Sequence, residues 1–368
     1  MNENKLLTFA KSIKDFRLDR KKLHPVENIV FITILAVICN AQDWEEIEDF
    51  GNSRKTFFSK YLDLKNGIPS HDTFNRFFSL YDPKSFQKIF VEWLSTLINI
   101  KEKHIAIDGK SCRGSHTKTG EMLHLLHAYL TDDCSFLGQE KTEEKSNEIT
   151  AIPKLLETLD LKNAMVSIDA MGCQTEIATK IIEKGGDYLL AVKQNQKTLY
   201  EDIESAFLVY ENNEKTAFTT EEINGSKLEK RTCKIMTDMS HITRAEDWKN
   251  LQTIIKIETQ TYHKSKDKTV KEQRYYISSQ LNTSEMFLNY TRNHWLIENK
   301  LHWSLDVILK EDESRKRNNN VAENFSIILK LVLKLLQEKQ LKNKKISIKR
   351  MRKMAAWNLD YLIELLNF

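Results

Sequence analysis

The sequence predicts an α/β protein in which a helical N-terminal domain precedes a sheet-based core. Three features of the chain lead to this prediction. Residues 1–100 carry one helix signal after another. Two short apolar runs beyond them each stop at a single acid, Asp108 and Asp169, as buried strands do when they deliver a side chain to a sheet edge. Residues 200–285 are rich in Thr, Ile and Tyr, residue types that favour strands.

Composition indicates a soluble globular protein with more than one domain. The chain has 368 residues, of which 40% are hydrophobic and 29% charged. Its five cysteines form no Cys-x-x-Cys pair, which argues for a reducing compartment and against a zinc site or a disulfide framework. The longest apolar run, 29–39, is too short to span a membrane, and the N-terminus lacks a signal-peptide pattern. We therefore expect a cytoplasmic protein with no membrane association.

Positive charge is concentrated at the two ends of the chain. The net charge is only +4, but residues 310–353 hold 14 Lys and Arg against 5 Asp and Glu, and residues 1–24 hold 7 against 3. Basic ends favour a polyanionic partner. The alternative is that these lysines and arginines only solvate helix faces.

The N-terminal domain, residues 1–100, reads as a series of short helices. A buried helix is predicted over 26–41, Ser70 is a candidate cap for a helix carrying Asn75 and Arg76, and Pro83 begins another helix. A capped helix of this kind can belong to a helix-turn-helix DNA reader. A plain helical bundle explains the same spacing, and the sequence leaves both readings open.

Residues 101–199 have the element order of a ribonuclease H-like core. Strands are predicted over 104–108, 123–130, 135–141, 164–169 and 188–192, with helices over 147–159 and 175–184. Gly109 is expected to let the backbone bend away after the first strand. The fourth strand can lie parallel beside the first, which would bring Asp108 and Asp169 together.

A β-rich insertion, residues 200–285, interrupts this core. Its predicted strands are 227–236, 251–261 and 273–278. Residues 286–368 are expected to form a returning catalytic helix and a basic helical C-terminal part. On that helix Glu298, His302 and Asp306 are spaced four apart and would share one face. His302 and Asp306 are interpreted either as a second layer of the site or as a polar stripe.

Two aspartates and one glutamate make an oxygen-rich site of the kind that suits Mg²⁺ or Mn²⁺. Two such ions about 4 Å apart can clamp the attacking and leaving oxygens of an in-line phosphoryl displacement. In this interpretation Asp108 bridges both ions, while Asp169 and Glu298 each hold one. Glu298 is preferred as the third acid over three rivals further along the chain, Asp306, Glu311 and Asp312. Of those rivals, Glu311 and Asp312 are expected in surface ion pairs.

Three segments resemble the DDE-class insertion-sequence transposases, close to the H-repeat-associated group. They are Ala106-Ile-Asp-Gly-Lys110, Ser167-Ile-Asp-Ala-Met-Gly-Cys-Gln174 and His294-Trp-Leu-Ile-Glu-Asn-Lys-Leu-His-Trp-Ser-Leu-Asp306. The resemblance covers almost the whole chain. It implies a ribonuclease H-like core, Mg²⁺-dependent cleavage of double-stranded DNA at transposon ends, and strand transfer into target DNA. It also implies a homodimer on paired ends, in a bacterial cell and at the nucleoid when acting.

The sequence departs from the pattern of related transposases, Tyr-Arg-x-Arg-Trp-x-Ile-Glu with a later Lys. Thr291 stands in the Tyr slot, His294 in the second Arg slot and Leu305 where the Lys would be. Lys300 or Lys310 could take over the missing lysine's contact. The candidates for DNA contact are Lys110, Arg113, Lys193, Asn195, Arg292, His294, Trp295 and Lys300.

Two competing readings of the function remain open. One is a ribonuclease H-like nuclease that hydrolyses DNA without strand transfer. The other is a DNA-binding protein derived from a transposase that no longer cuts, a reading that the three intact acids disfavour.

Overall fold

The computed structural model describes residues 5–19, 22–96, 103–116, 122–142, 148–209 and 217–366. The chain divides into two compact units. The helical unit comprises Met1–Asn99, Ser111–Leu125 and Asn299–Phe368, and the sheet unit comprises Ile100–Lys110 and Leu126–Glu298.

In chain order the helices are α1 (Lys5–Ser12), α2 (Val26–Ile38), α3 (Trp44–Ser53), α4 (Lys55–Phe58), α5 (His71–Leu80), α6 (Pro83–Ser95), α7 (Glu148–Thr158), α8 (Thr175–Glu183), α9 (Lys197–Val209), α10 (Ser284–His294), α11 (Val321–Lys342), α12 (Ile348–Trp357) and α13 (Leu359–Leu366). The strands are β1 (Lys103–Cys112), β2 (Leu123–Leu130), β3 (Ser135–Thr142), β4 (Ala164–Ile168), β5 (Asp187–Val192), β6 (Phe218–Asn224), β7 (Lys227–Met236), β8 (Thr253–His263) and β9 (Lys268–Ser278).

Helix starts in the helical unit follow local capping chemistry. Asp43 accepts a hydrogen bond from the Glu46 amide at the start of α3, and Asp82 caps α6 just before a proline at its first position. Helix α5 begins after Ser70 as predicted, but the predicted cap is wrong. The Ser70 hydroxyl lies 3.2 Å from the Thr73 hydroxyl instead of binding a backbone amide.

Four cations of the helical unit are buried, and we call them the buried-cation group: Lys316, Lys330, Lys334 and Arg352. Lys334 pairs with Glu338 at 2.6 Å, and Lys330 lies 3.9 Å from Glu311, which is itself buried. The prediction that Glu311 forms a surface ion pair is therefore wrong, because its carboxylate is buried beside Lys330. The expectation that the basic C-terminal region faces a polyanion is also wrong for these four residues, because they are buried.

The remaining two members of the buried-cation group contact backbone and rings. The Lys316 ammonium lies 3.9 Å from the centre of the Phe325 ring and 5.0 Å from that of Trp44, and it donates to the Gln42 carbonyl. Burial lowers the pKa of Lys316 to about 8. Arg352 donates to the carbonyls of Val37, at 2.9 Å, and Ile308. It therefore ties the end of α2 to the segment that precedes α11.

The sheet has nine strands in the order β3-β2-β1-β4-β5-β9-β8-β7-β6. The predicted parallel pairing of the first and fourth strands is confirmed, with Ile107 opposite Ile168. Strand β5 runs parallel to β4, and β9 pairs antiparallel with β5. Strands β6–β9 thus continue the sheet that β1–β5 begin. The first strand of the β-rich insertion, β6, was not predicted, and β9 begins five residues earlier than expected because it pairs along its whole length with β8.

Two sequence expectations near the acids need correction. Strand β1 does not end at Asp108 but continues to Cys112, because its other edge is paired with β2 beyond the end of β4. The returning helix is not a continuous α-helix. After α10 the chain adopts π-helical turns over Ile297–His302 and Ser304–Ile308, in which residues four apart no longer share a face. His302 and Asp306 belong to the helical unit, whereas Glu298 is the last residue of the sheet unit.

Helix α10 is fixed to the sheet by apolar packing. Phe287 and Leu288 are buried against Met165, Leu189 and Ile255 of the strands. This contact sets where the residues after α10, including Glu298, emerge. In the part of the chain that the structure describes, no helix is both long enough and apolar enough to cross a membrane.

Candidate active site

Three carboxylates from separate elements line one cavity of about 540 Å³ in the sheet unit. Asp108 belongs to β1, Asp169 directly follows β4, and Glu298 is the second residue of the first π-helical turn. Asp108 and Asp169 each come one residue after the paired positions Ile107 and Ile168, so the parallel register carries both to the same end of the pair. The structure therefore brings together the three acids that the sequence singled out.

The acids repel one another electrostatically. Burial raises the pKa of Asp108 to about 8, with further contributions from the charges of Asp169, Glu298 and Glu148, and a hydrogen bond from the Gly109 amide opposes the rise. Partial burial and the charge of Asp169 also raise the pKa of Glu298, against the attraction of Arg274. The cavity thus holds several negative charges close together, as cation-binding sites do.

Two glycines permit the close approaches on which this arrangement depends. A Cβ atom on Gly109 would lie 2.3 Å from Oε1 of Glu148, so that glycine makes room for a fourth carboxylate rather than for a bend in the strand. A Cβ atom on Gly172 would lie 2.3 Å from Cγ2 of Ile168. Glu148 opens α7, and nothing in its sequence context marks it as a neighbour of Asp108.

The loops after β4 and β5 are tied together behind the cavity. Asp169 caps the short turn that follows it, accepting from the Met171 amide at 3.1 Å. The Asn195 side-chain amide donates to the Ala170 carbonyl at 2.7 Å. Asn195, a candidate for DNA contact, therefore uses this donor within the protein. Lys193 lies at the same strand end and lines the cavity, as expected of a group that contacts phosphate.

Basic and aromatic groups line the wall near Glu298. The Arg274 guanidinium, from β9, lies 4.8 Å from the centre of the Trp295 ring, and both line the cavity. Arg274 was not among the sequence candidates, since an arginine in a strand of an insertion carries no motif. Arg292 was a candidate, but it forms an ion pair with Glu222 of β6 at 2.6 Å.

The other candidates for DNA contact lie elsewhere. Lys110 is buried in β1, two residues beyond Asp108. Arg113 belongs to the helical unit, where its backbone amide donates to Asp312 at 3.1 Å and its guanidinium lies 3.7 Å from the same carboxylate. Asp312 therefore is in an ion pair, as expected, and its partner is Arg113. Lys300 is exposed, also in the helical unit.

His294 occupies the cavity wall beside Asp169. Its Nδ1 lies 2.8 Å from the Ser167 hydroxyl, and burial lowers its pKa to about 4. The ring is therefore neutral near pH 7. Within the described ranges, no three His, Cys, Asp or Glu side chains converge closely enough to form a ready-made metal site.

Comparisons with known proteins agree on one family. Residues 99–335 match the family described as Transposase DDE domain, and residues 7–94 match the one described as DDE_Tnp_1-associated. The chain is 42% identical over its full length to the putative transposase YncI of Escherichia coli O157:H7, covering 95% of that protein. It is 38% identical, again over its full length, to the H repeat-associated putative transposase YhhI of Escherichia coli strain K12, covering 98% of that protein.

A solved structure is similar only distantly. The chain matches a piggyBac transposase in a synaptic complex with hairpin DNA at 10% identity and a TM-score of 0.45, over 99% of this chain and 78% of that one. That likeness is too weak to inform function. On the two domain matches and the full-length relatives, the chain belongs to the DDE transposase family, among relatives that include H repeat-associated members.

Proposed function

We propose that this chain catalyses Mg²⁺-dependent DNA cleavage at transposon ends and strand transfer into target DNA, with Asp108, Asp169 and Glu298 as its catalytic acids. The observation that carries the proposal is the convergence of these three carboxylates on one cavity, in the chain order that the family name denotes. The raised pKa of Asp108 supports it, because the charges of Asp169 and Glu298 contribute to that rise.

The donor set fits Mg²⁺ or Mn²⁺ in kind, since these ions prefer carboxylate oxygens. Asp108, Asp169 and Glu298 would be the residues that hold the metal. When bound, the ions would stabilise the charge that develops on the scissile phosphate and activate the attacking hydroxyl. A divalent cation would also offset the repulsion that raises the pKa of Asp108.

The chain's own residues would supply the rest of the site. Lys193 and Arg274 line the cavity and would meet the phosphates on either side of the scissile bond. The Trp295 ring, held by Arg274, offers a surface for an unpaired base at the strand end. A water molecule would attack during cleavage and a DNA 3′-hydroxyl during strand transfer, so no protein nucleophile is required.

The same proposal covers the architecture. We assign residues 101–199 to a ribonuclease H-like core built on β1–β5, residues 200–285 to the β-rich insertion, residues 1–100 to a helical domain and residues 286–368 to the third acid and the C-terminal helices. The parallel neighbours β1, β4 and β5, with Asp108 and Asp169 each one residue beyond the paired positions Ile107 and Ile168, support this assignment. Double-stranded DNA is the proposed partner, bound by a homodimer on paired ends.

The test uses duplex DNA carrying the inverted repeats that flank this gene. Under single-turnover conditions with Mg²⁺, we expect nicking at the repeat end and joining to a target plasmid. Asp108→Ala, Asp169→Ala and Glu298→Gln should each lose at least about 10³-fold in nicking rate, equivalent to about 4 kcal/mol in the barrier. DNA binding should stay near the parent level, because it rests on phosphate contacts from Lys and Arg.

Shape-preserving controls separate the third acid from its rivals. Asp306→Asn and Asp312→Asn should leave nicking measurable. An active Glu298→Gln protein beside an inactive Asp306→Asn protein would move the third ligand along the chain. Nicking without joining would favour the nuclease reading, and binding without either reaction the non-cleaving one.

A further inference from the structure

Strands β6–β9 extend the sheet away from the cavity as a four-stranded arm. On β9, Arg274 lines the cavity, and Lys268 is the residue at the other end of the strand. Because residues two apart in a strand point to the same side, Arg274 and Lys268, six apart, share the face that borders the cavity. Lys227 of β7 is in register with Lys268 across His263 of β8, so it lies on this face as well. One face of the sheet therefore runs from the cavity to the end of the arm.

Between the cavity and the end of the arm, the charges on this face are balanced. The strand registers place three glutamates there, and each of them is paired with an arginine. The pairs are Glu272 with Arg274 at 2.9 Å, Glu222 with Arg292 at 2.6 Å, and Glu229 with Arg231. A polyanion that follows this face would therefore meet no uncompensated carboxylate on the way.

The end of the arm carries an excess of positive charge. Four lysines lie at the start of β7 and around the turn between β8 and β9, and we call them the arm-tip lysines: Lys227, Lys264, Lys266 and Lys268. All four are exposed, and among the residues that the structure describes their ammonium groups have no ion-pair or hydrogen-bond partner. Asp267, in the same turn, accepts a hydrogen bond from the Tyr262 hydroxyl at 2.9 Å. A group of cations that the fold leaves uncompensated fits an anionic partner.

The length of the arm can be compared with the repeat of duplex DNA. Arg274 and Lys268 are six residues apart in an extended strand, which is about 20 Å at about 3.3 Å per residue. Along one strand of a duplex, phosphates follow one another about every 3.4 Å of the helix axis. A duplex that has its scissile phosphate in the cavity and follows this face would therefore reach the arm-tip lysines after about six base pairs.

We propose that the arm-tip lysines bind the phosphate backbone of duplex DNA about six base pairs from the scissile phosphate. The backbone is the ligand rather than the base edges, because flexible ammonium groups supply charge without reading the sequence. The contact would hold the duplex along the arm and so fix the position of the scissile phosphate in the cavity. This role rests on the proposed function, in which the same cavity receives that phosphate.

The first test removes the four charges and keeps side chains of similar length. The parent and the variant Lys227→Gln/Lys264→Gln/Lys266→Gln/Lys268→Gln are titrated with duplex DNA carrying the flanking inverted repeats, in EDTA, so that binding is measured without cleavage. We expect the slope of log affinity against log salt to fall by about 0.9 for each lost phosphate contact. The side chains are exposed, so the variant should melt as the parent does. A salt slope equal to that of the parent would overturn the proposal.

Lys271 provides the matched control on the same strand. It is exposed and, within the described part of the chain, also lacks a partner, but its odd offset from Arg274 places it on the opposite face of β9. We expect Lys268→Gln alone to lower the salt slope by about 0.9 and Lys271→Gln to leave it unchanged. Equal changes in these two single variants would mean that the arm attracts DNA without a preferred face, which contradicts the proposal.

A scan of the DNA tests where the contact lies. Single methylphosphonate linkages, which carry no negative charge, are placed at successive positions from the repeat end. We expect the parent to lose affinity several-fold when the neutral linkage is about five to seven base pairs from the scissile phosphate, and the four-lysine variant to be insensitive there. Equal losses for the two proteins at these positions, or a loss for the parent only at other positions, would overturn the assigned contact.

The outcomes distinguish this inference from the proposed function, because the binding tests require no catalysis. A parent protein that nicks the repeat ends with Mg²⁺, beside a four-lysine variant with an unchanged salt slope, would overturn this inference alone. A parent protein that shows the arm contact in EDTA but never nicks the repeat ends would overturn the proposed function and keep the arm as a DNA-binding surface. A parent protein that does not bind the duplex would overturn both.

Discussion

The acid-lined cavity and the buried-cation group are opposite solutions to the problem of charge away from water. Each cation of the group meets a carboxylate, a carbonyl or an aromatic ring of its own unit, as Lys330 meets Glu311 and Ser326. In the cavity the neighbours of Asp108 include three further carboxylates, which raise its pKa. A buried charge that is paired within the fold stabilises the structure, whereas carboxylates that raise one another's pKa favour the binding of a cation.

We expect the largest effect on stability where a buried charge is paired with an opposite charge within the fold. Glu311→Gln would leave the Lys330 ammonium, which has no exposed side-chain surface, beside a neutral amide. Removing one partner of a buried pair costs about 3–5 kcal/mol of unfolding free energy. The measurement is urea unfolding at pH 7, followed by circular dichroism.

Glu313→Gln is the matched control for that experiment. Glu313 pairs with Lys310, but its side chain is 65% exposed. Exposed pairs contribute about 0–1 kcal/mol, so this variant should unfold almost as the parent does. Similar losses in the two variants would remove the distinction between the buried pair and the exposed one.

In the cavity, removal of a charge is expected to stabilise the protein, and the size of this effect should depend on pH. The pKa of Asp108 rises on folding from its ordinary range near 4 to about 8, so its contribution is most favourable at low pH and is lost as pH rises towards 8. Asp108→Asn cannot titrate there. In EDTA, the variant should therefore gain about 1–3 kcal/mol in stability relative to the parent between pH 5 and pH 9. Parallel stability curves for the two proteins would contradict the repulsion.

The smallest effect concerns the basic residues of α12, only some of which face water. Lys349, Arg350 and Lys353 are exposed, whereas Arg352 is buried on the carbonyls of Val37 and Ile308. Neutralising the exposed three to Gln should reduce the slope of log affinity against log salt by up to about 0.9 per lost phosphate contact.

Arg352→Gln is the companion variant for that titration. It should leave the salt slope unchanged and lower the melting temperature, because the buried hydrogen bonds to the carbonyls of Val37 and Ile308 are lost. If the salt slope stays the same in the triple variant, Lys349, Arg350 and Lys353 only solvate the helix face and do not contact DNA.

The meeting of Asp108 and Asp169 could be predicted, although β1 itself continues past Asp108 to Cys112. An apolar run that stops at an acid identified Asp108 and Asp169, and the parallel pairing of β1 and β4 followed from element order. The third acid depended on the family resemblance, since a glutamate on a helix looks ordinary. The helix itself was misjudged because residue spacing was read with an α-helical period through turns that are π-helical.

Residues whose role depends on a distant partner could not be found this way. Ser167 is one small polar residue in an apolar strand, and its histidine neighbours lie 63 and 127 positions away in the chain. Arg274 belongs to the insertion and reaches the cavity only because β9 pairs with β5. The buried lysines of α11 did carry a signal. Lys330 and Lys334 lie within an otherwise apolar run over 327–336, where an exposed lysine is rarely found.

The pairing of β9 with β5 also bears on how this protein could be shortened in evolution or in the laboratory. An insertion folded as a separate body can be removed at its two linkers, but this one shares hydrogen bonds with the core from Leu189 to Val192. Excising β6–β9 would expose the amides and carbonyls of an apolar central strand, which is a template for pairing between chains. The core and its insertion are therefore expected to be inherited, and to be lost, together.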